Sequence, residues 1–352
     1  MKPTSILLIT QTLDRNDHVL GFFHRWVEEF AKHFSRVTVI CLQKGEVALP
    51  ENVRVFSLGK EEKKSNHWMY AFRFFRVLWS SGLVYETVFV HMNEEYVLLA
   101  GWWWRYMGRK ILLWRNHPSG SWKTRLAVRF SHTAFCTSRQ SYTAQFKKTL
   151  IMPVGIVLPE EGEASVPRIP NSFLSLGRIS PVKQVDFMIR SFVRAHLPAE
   201  TVFAVVGDPI ARAVDIAYEQ TVQSEVVQAT AKEKRVERFP GVPAHQTASW
   251  FEKYEVFLNA TEPGSFDKTI LEAAAQGCIP LVAQNIWKNT DQDSLGEQLT
   301  FTYRDEASCT QAIERLAALS ESERQGLRVQ LRAFIQKYHS LERLFAELLL
   351  HV

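Results

Sequence analysis

The feature that most constrains the fold is the alternation of short β-rich runs with helical segments, which occurs twice along the chain. In the first half the strand-like runs are "SILLIT", "RVTVICL", "VRVFSL", "TVFVHM", "KILLWRNH" and "TAFCTS". Helical periodicity marks "LGFFHRWVEEFAKHF" and "MYAFRFFRVLW" between them. Alternation of this kind is typical of a parallel sheet that is covered by helices on both faces.

The second half repeats this pattern. Strands are predicted at "SFLSLG", "TVFAVVG", "VERFPG", "YEVFLNA" and 279–283, and helices at "VDFMIRSFVRAH", 269–276, from Cys309 onward and over the tail. A stretch rich in Pro and Glu, residues 157–171, is the predicted linker. We therefore predict two doubly wound α/β domains, residues 1–160 and 161–335, with a C-terminal helix over 336–352 that packs back on the first domain. Ligands of such sheets bind at the carboxyl ends of the strands.

The charge is unevenly distributed along the chain. The formal net charge is +5, but residues 1–160 carry 22 Lys+Arg against 12 Asp+Glu, and the remainder carries 20 against 25. A basic first half could face an anionic membrane surface, nucleic acid or an acidic substrate. Charge by itself does not distinguish these partners.

Several absences narrow the class of protein. No apolar run approaches the roughly 18–20 residues needed to cross a bilayer. The N-terminal stretch is typical of a first β-strand and not of a signal peptide. The four cysteines lie far apart, which favours a reducing compartment over a structural zinc site. We therefore expect a cytoplasmic protein.

The stretch "SLGRISPVKQVDF" carries a candidate anion site. It places Gly177, Arg178 and Lys183 between a predicted strand and a predicted helix. Backbone N–H groups, the helix dipole and two cations together suit a diphosphate. The alternative is that the two charges are simply solvated in a surface loop.

A second candidate lies in "GSFDKTILEAAAQGCIPLVA", where Glu272 is expected at the start of a helix after the strand "VFLNA". A carboxylate in this place can accept hydrogen bonds from the two neighbouring hydroxyls of a ribose. The alternative is a glutamate that only interacts with the helix dipole. Together the two segments supply contacts for the diphosphate and the sugar of a nucleotide.

The order of these motifs resembles that of family-4 glycosyltransferases of the GT-B fold. The matching pieces are "LGRISPVKQVDFMIRSF", "VFAVVGDP", "VERFPGVPAHQTASWFEKYEVFLNAT" and "GSFDKTILEAAAQGCIPLVA". The resemblance implies two Rossmann-like domains facing a cleft, and retaining transfer of a sugar from a UDP- or GDP-linked donor without a metal or other cofactor. The implied acceptor is a glycan or a polyprenyl-linked glycan, as in cell-surface polysaccharide or glycolipid synthesis.

The resemblance also implies roles for individual residues of the second half. Arg178 and Lys183 would bind the donor diphosphate and would also act in catalysis, by stabilising the diphosphate as it leaves. Glu272 would bind the ribose. Gly241 and Val242 would lie near the base, where the main chain supplies contacts. Gly207, in "VFAVVGDP", would belong to the same donor site.

One departure from the family pattern concerns the donor sugar. The family usually has a second glutamate eight positions before the ribose glutamate, and here that position is Gly264, with Glu262 out of register. The segment resembles a variant in a branch of the family, in which main-chain amides and nearby side chains replace that contact. The donor-binding residues implied for this loop are Gly264, Ser265, Phe266, Asp267 and Lys268.

The first half matches the family more loosely and would bind the acceptor. Gly21 occupies the place of the family's glycine-rich turn, and its amide would approach the donor phosphate or the reacting centre. His117, in "LLWRNHPSG", matches a histidine that the family places in the cleft and is the expected catalytic residue of this half. His91, in "VFVHMN", is the competing candidate, and either histidine could be purely structural.

Two stretches, "HWMYAFRFFRVLW" and "GWWWRYMGRK", mix aromatic residues with arginines. In helical register Phe72, Phe75 and Trp79 share a face, and Arg73 and Arg76 lie near one another. This pattern suits an interfacial helix on an anionic membrane surface. The alternative is a helix that packs its aromatic residues on the sheet.

Two functions other than sugar transfer are compatible with the sequence. The chain could be a GT-B relic that binds nucleotide or glycan without transferring a sugar, or a nucleic-acid-binding protein, although no motif for reading nucleic acid is found. The Asp291–Asp293 pair imitates a metal-binding Asp-x-Asp, but no predicted strand leads into it, so no metal site is expected. Dinucleotide and Walker glycine loops are also missing from the sequence.

Overall fold

The computed structural model of the protein describes residues 5–17, 20–62, 66–80, 83–159, 166–262, 267–288 and 290–352, in two compact units. The first unit contains the described residues up to Pro153, together with Pro243–His245 and Leu344–Val352. The second contains those of Val154–Val242 and Gln246–Arg343. The change of unit at Pro153 precedes the predicted boundary at residue 160. The C-terminal residues of the first unit begin at Leu344, later than the predicted residue 336.

The first unit is built on a parallel sheet. Its elements are β1 (Ser5–Leu13), α1 (Phe22–His33), β2 (Arg36–Lys44), β3 (Val53–Ser57), α2 (His67–Leu78), β4 (Thr87–His91), α3 (Glu94–Tyr106), β5 (Lys110–Trp114), α4 (Trp122–Phe130), β6 (Thr133–Cys136) and β7 (Thr149–Ile151). The strand order is β3-β2-β1-β4-β5-β6-β7, and each pairing is parallel. The near-continuous apolar strands are explained by helices on both faces, since a strand buried on both sides has no polar face.

The second unit has the same construction. Its elements are β8 (Ser172–Leu176), α5 (Val185–Arg194), β9 (Val202–Val206), α6 (Ala213–Ala231), β10 (Arg235–Phe239), α7 (Thr247–Lys253), β11 (Val256–Asn259), α8 (Lys268–Ala275), β12 (Ile279–Val282), α9 (Ser294–Leu299), α10 (Glu306–Ala317), α11 (Glu321–Tyr338) and α12 (Leu341–Leu348), whose last residues belong to the first unit. The strand order is β10-β9-β8-β11-β12, again with parallel pairing.

The C-terminal residues bury apolar surface in the first unit. Phe345, which is almost completely buried, packs edge-on against Phe30 of α1 with 4.8 Å between ring centroids. Trp26 lies edge-on to the same ring at 6.5 Å. Burial of aromatic rings is the main source of stability available to so short a segment.

Within the part of the chain that the structure describes, no helix is long and apolar enough to span a bilayer. All four cysteines are buried and free. Burial raises the pKa of Cys41, Cys278 and Cys309 to about 12, which keeps these thiols protonated at neutral pH.

Candidate functional site

The topology of the second unit marks one place for a ligand. From β8 the chain moves through α5 to β9 on one side, whereas β11 lies on the other side of β8. Ligands of open parallel sheets bind at the carboxyl ends of the strands that flank such a reversal. The loop that follows β8 contains Arg178 and Lys183, and the residues that follow β11 lead to Asp267 and α8. The predicted donor loops therefore meet at the reversal.

Two glycines allow the loops after β8 and β9 to pack closely. Gly177 and Gly207 have φ of +148° and +152°, a region that side chains disfavour. A Cβ atom on Gly207 would lie 1.8 Å from the carbonyl oxygen of Gly177. Gly207, predicted as a donor-binding residue, is thus required for the close approach of these two strand ends.

A buried carboxylate connects the two loops. Asp267 accepts a hydrogen bond from Lys183 Nζ, and its Oδ2 also accepts bonds from Asn259 Nδ2 at 2.7 Å and Thr261 Oγ1 at 3.1 Å. Its Oδ1 accepts bonds from the backbone N–H and the hydroxyl of Thr269, at 3.2 and 2.8 Å, and so caps α8. The residue is 8% exposed. Lys183, from the β8 loop, is thereby fixed to the start of α8.

The charge of Asp267 is stabilised in place. Burial alone would raise its pKa, but the Lys183 charge and the hydrogen bonds from Lys183, Asn259 and Thr269 outweigh burial and hold the pKa well below its usual range. A carboxylate has about four lone-pair sites, and five donors already occupy them. The side chain is thus engaged with donors of its own unit, whereas the resemblance implies a contact between Asp267 and the donor sugar. Gly264, Ser265 and Phe266 lie outside the described residues.

Glu272 lies in the early part of the helix, as the sequence predicted. The helix α8 begins at Lys268, one residue before the predicted start, so Glu272 is its fifth residue and not its fourth. Its carboxylate is partly exposed and pairs with Lys268 Nζ at 2.9 Å. Lys268, implied for the donor sugar, therefore contacts the implied ribose carboxylate. Arg178, in contrast, is exposed.

The segment predicted to contact the base follows β10. The backbone N–H of Gly241 donates to the Asp208 carboxylate at 2.8 Å, and Asp208 follows Gly207 at the end of β9. A Cβ atom on Gly241 would lie 2.8 Å from the same carboxylate oxygen. The Gly241 amide is therefore already engaged, while Val242 is partly exposed at the edge of this unit.

Gly21 and His91 of the first unit both contact other residues of the same unit. The Gly21 amide donates to the Asp17 carbonyl at 3.1 Å, so it is not available to a phosphate in this structure. The His91 ring is 2% exposed and stacks on Phe23 with 4.4 Å between centroids. Burial lowers the pKa of His91 to about 3, which keeps the ring neutral. His91 is thus a core histidine, and the sequence could not distinguish it from a ligand-binding one.

His117 occupies an exposed loop after β5 that a second buried ion pair supports. Arg115 Nε lies 2.6 Å from Glu94 Oε2, and Arg115 also donates to the Ser119 carbonyl at 2.9 Å. His117 Nδ1 lies 3.0 and 3.1 Å from the backbone nitrogen and oxygen of Ser119. The backbone therefore holds Nδ1, and Nε2 is the nitrogen that remains for a ligand.

The sequence reasoning missed both supporting carboxylate networks. Glu94, Asn259 and Thr261 each come within a few residues of the end of a buried strand. Polar residues directly after apolar runs in neighbouring strands were the available signal, because the carboxyl ends of parallel strands lie at one edge of the sheet.

Asp291, the first carboxylate of the Asp-x-Asp sequence, contacts other side chains of the protein. Asp291 pairs with Lys337 Nζ at 2.5 Å and accepts a hydrogen bond from the Tyr338 hydroxyl at 2.9 Å. Asp293 precedes α9 as its N-terminal flanking residue. Among the described residues, no group of three or more His, Cys, Asp or Glu side chains is arranged to hold a metal ion.

Comparison with known families places the sequence match in the second half. Residues 170–318 match the family model described as Glycosyl transferases group 1. This stretch includes the loops with Arg178 and Lys183, the Asp267 network and Glu272. No curated protein matches the sequence.

Solved structures with the same architecture cover nearly the whole chain. HepE of Anabaena, in complex with UDP and glucose, is 14% identical, covers 99% of both chains and has a TM-score of 0.68. Sucrose-phosphate synthase of Thermosynechococcus elongatus is 14% identical, covers 98% of this chain and 97% of its own, and has a TM-score of 0.69. The lipopolysaccharide outer core galactosyltransferase WaaB is 13% identical over 99% of both chains, with a TM-score of 0.64. The chain therefore has the GT-B fold, and its second half carries the sequence pattern of the group 1 glycosyl transferases.

Proposed function

We propose that this protein is a glycosyltransferase that moves a sugar from a nucleotide-sugar donor to a glycan or lipid-linked acceptor. The observation that carries the proposal is the ion pair between Lys183 and Asp267, which joins the two donor loops at the strand reversal. Support comes from the family match over residues 170–318 and from the same fold in HepE, which has been solved with UDP and with UDP-glucose.

In this proposal the second unit holds the donor. Arg178 and Lys183 bind the diphosphate, Glu272 binds the ribose hydroxyls, and the main chain at Gly241 and Val242 lies by the base. Binding of the ribose requires Glu272 to exchange its ion pair with Lys268 for bonds from hydroxyl groups. Such an exchange is inexpensive, since partly exposed ion pairs contribute at most about 1 kcal/mol.

The proposed transfer needs no divalent metal ion. When the bond between sugar and diphosphate breaks, negative charge grows on the departing diphosphate. Arg178, Lys183 and the positive end of the α5 dipole stabilise that charge, and Lys183 needs little reorganisation during the reaction because Asp267 holds it in place. We further propose that the sugar keeps its anomeric configuration, as the resemblance implies.

The direct test combines binding with turnover. Calorimetry with UDP- and GDP-sugars should show one site, and Arg178→Ala should weaken it by about 1.5–3 kcal/mol through loss of a charge-assisted contact. Unchanged affinity in Arg178→Ala and in Glu272→Ala would contradict the donor assignment. An inverted product anomer, or activity abolished by EDTA and restored by manganese, would contradict the proposed mechanism.

The relic alternative gives a different outcome in the same assays. A chain that only holds nucleotide would bind the donor but would release no free sugar during long incubation. Slow donor hydrolysis by the wild-type protein, lost in Glu272→Ala, would support transfer over simple binding.

We also propose that the first unit contacts an anionic membrane surface in the cytoplasm. The helices α2, α3 and α4 lie side by side, because Phe74 of α2 packs on Tyr96 of α3 at 4.9 Å and α3 packs on α4. Phe74 and Leu78 are the buried residues of α2. The opposite face exposes Trp68 by 85%, Phe72 by 63% and Trp79 by 59%.

The neighbouring helices also expose aromatic residues. Tyr106 on α3 is 80% exposed and Trp122 on α4 is 69% exposed. Residues 96–159 contain 10 Lys+Arg and not one Asp or Glu. Exposed aromatic rings in a part of the chain that is rich in cations suit the headgroup region of an anionic leaflet. Of the aromatic face predicted from sequence, Phe75 is only partly exposed and stacks on Trp79 at 4.8 Å.

Vesicle flotation tests this surface. Binding should be strongest to anionic vesicles at low salt, since screening weakens the contribution of the cations. A Trp68→Ser, Phe72→Ser double variant should lose most of the binding. Val329→Ser is the matched control, because Val329 is 60% exposed on α11 of the second unit. Equal recovery with anionic and neutral vesicles, or an equal loss in the control, would contradict the proposal.

A further inference from the structure

The Lys183–Asp267 pair has a consequence for how the donor site is organised, which rests on the proposed function. Lys183 has a long flexible side chain, and ordering such a chain on ligand binding costs conformational entropy. In this structure the ion pair with Asp267 fixes the ammonium group, and 21% of the Lys183 side chain is exposed. The group that orders it is a carboxylate from the opposite side of the strand reversal.

We propose that Asp267 is a positioning residue of the donor site, which holds the Lys183 ammonium group in the place where it meets the diphosphate. Asp267 does not touch the donor in this arrangement. It acts through Lys183. Because Asp267 also caps α8, it fixes the position of Lys183 relative to the helix that carries Glu272.

The two oxygens of Asp267 separate this role from simple helix capping. Oδ1 accepts the bonds from the Thr269 backbone and hydroxyl, which belong to α8. Oδ2 accepts bonds from Asn259 and Thr261 and is the oxygen paired with Lys183. A change that affects Oδ2 alone should therefore leave the cap in place and release Lys183.

Asp267→Asn is that change. An asparagine keeps one oxygen for the Thr269 bonds but replaces Oδ2 with an amide nitrogen, which cannot accept a bond from an ammonium group. The fixed position of Lys183 is lost while its charge remains. We expect UDP or GDP to bind about tenfold more weakly, because the side chain must then be ordered during binding.

A double-mutant cycle tests whether the effect passes through Lys183. The second variant is Lys183→Gln, which removes the charge of Lys183 while its neutral amide can still donate to Asp267. In the Lys183→Gln background, Asp267→Asn should change the affinity for UDP and GDP by less than twofold. Asp305→Asn is the matched control, since Asp305 caps α10 by accepting from Ser308, and it should leave nucleotide affinity unchanged.

Each outcome of calorimetry on these full-length variants is decisive. The positioning role would be overturned if Asp267→Asn left nucleotide affinity unchanged or raised it, or if it lowered the affinity equally in the wild-type and Lys183→Gln backgrounds. If only Lys183→Gln lowered the affinity, the positioning role would fail but the proposed donor site would stand. If the wild-type chain binds neither UDP nor GDP, the proposed function fails and this inference fails with it. Denaturation curves of each variant show whether a loss of affinity reflects loss of folded protein.

Discussion

The two units share one structural feature, an ion pair beyond the strand ends, but the cation of the pair contacts different groups in each. Each places a buried carboxylate–cation pair just beyond the carboxyl ends of its parallel strands. In the second unit Lys183 and Asp267 join loops on the two sides of the strand reversal. In the first unit Glu94 and Arg115 join the ends of β4 and β5, which lie on one side of the reversal between β1 and β4.

The difference lies in what each cation does next. Lys183 is itself a predicted ligand of the donor, so its pair sets the position of a binding group. Arg115 instead supports Ser119, whose backbone holds His117. The second unit thus holds directly the charge that we propose binds the donor, whereas the first holds an exposed histidine through an intermediate loop. Removing a member of either pair should therefore have different consequences in the two units.

The largest expected effect is on the stability of the second unit. Lys183→Met would leave the Asp267 carboxylate buried without its cation, and breaking a buried pair in this way costs about 3–5 kcal/mol. Arg178→Met, in the same loop but exposed, should change stability by no more than about 0.5 kcal/mol. Urea unfolding of both variants measures the difference.

The stability that the Lys183–Asp267 pair contributes should depend on pH in a defined direction. The folded pKa of Asp267 is depressed, so its contribution to stability is present above its unfolded pKa near 3.8 and is lost as pH falls toward the folded value. The stability difference between wild type and Lys183→Met should therefore shrink below about pH 4. Equal stability of Lys183→Met and Arg178→Met at neutral pH would show that the pair contributes nothing.

The next effect is on turnover and concerns the first unit. His117→Ala should lower the rate of sugar transfer about a hundredfold, the usual effect of removing one positioned polar group from a reacting centre. The affinity for UDP should change by less than twofold, because Arg178 and Lys183, which we propose bind the diphosphate, belong to the second unit. Steady-state kinetics and calorimetry measure the two quantities.

The control for this prediction is His196→Ala. His196 lies in the second unit, its side chain is 96% exposed, and it pairs with Glu314. Its removal should change neither quantity. A His117→Ala variant with normal turnover, or with UDP affinity reduced as strongly as turnover, would remove the distinction between the two units.

The smallest effect is an acid sensitivity that originates in the core of the first unit. The folded pKa of His91 is about 3, below the unfolded value near 6.5, so the unfolded chain binds the proton more strongly. Stability is then lost as pH falls from 6.5 toward 3, by about 1.4 kcal/mol at pH 5.5. His91→Phe keeps an aromatic ring against Phe23 and should remove that part of the loss.

Denaturation of wild type and His91→Phe at pH 7.5 and 5.5 measures this effect. Asp267 does not titrate in that range, so the variant isolates the first unit from the carboxylate network of the second. If wild type and His91→Phe lost the same stability between pH 7.5 and 5.5, protonation of His91 would have no cost in the folded protein. His91 would then not be the buried neutral ring that the structure describes.

Most elements were predictable because their signals are local. The strands of both sheets are short apolar runs, and α1 and α5 bury one periodic face each. The helix α6, Ala213–Ala231, was not predicted, because several of its apolar residues, including Val214 and Val227, are exposed and obscure the period. The predicted start of α8 was one residue late, since Asp267 caps the helix one position earlier than the alanine run suggests.

Two α/β units, the loops that carry Arg178 and Lys183, and the helix that carries Glu272 could be predicted from the sequence, because strand periodicity and glycine turns act over a few residues. The pairing of Asp267 with Lys183, the burial of His91 and the exposure of His117 are visible in the three-dimensional structure alone. These properties depend on which strand ends become neighbours, and therefore on contacts between residues such as Lys183 and Asp267 that are far apart in the chain. Burial and ion pairing change with those neighbours, and no local pattern records them.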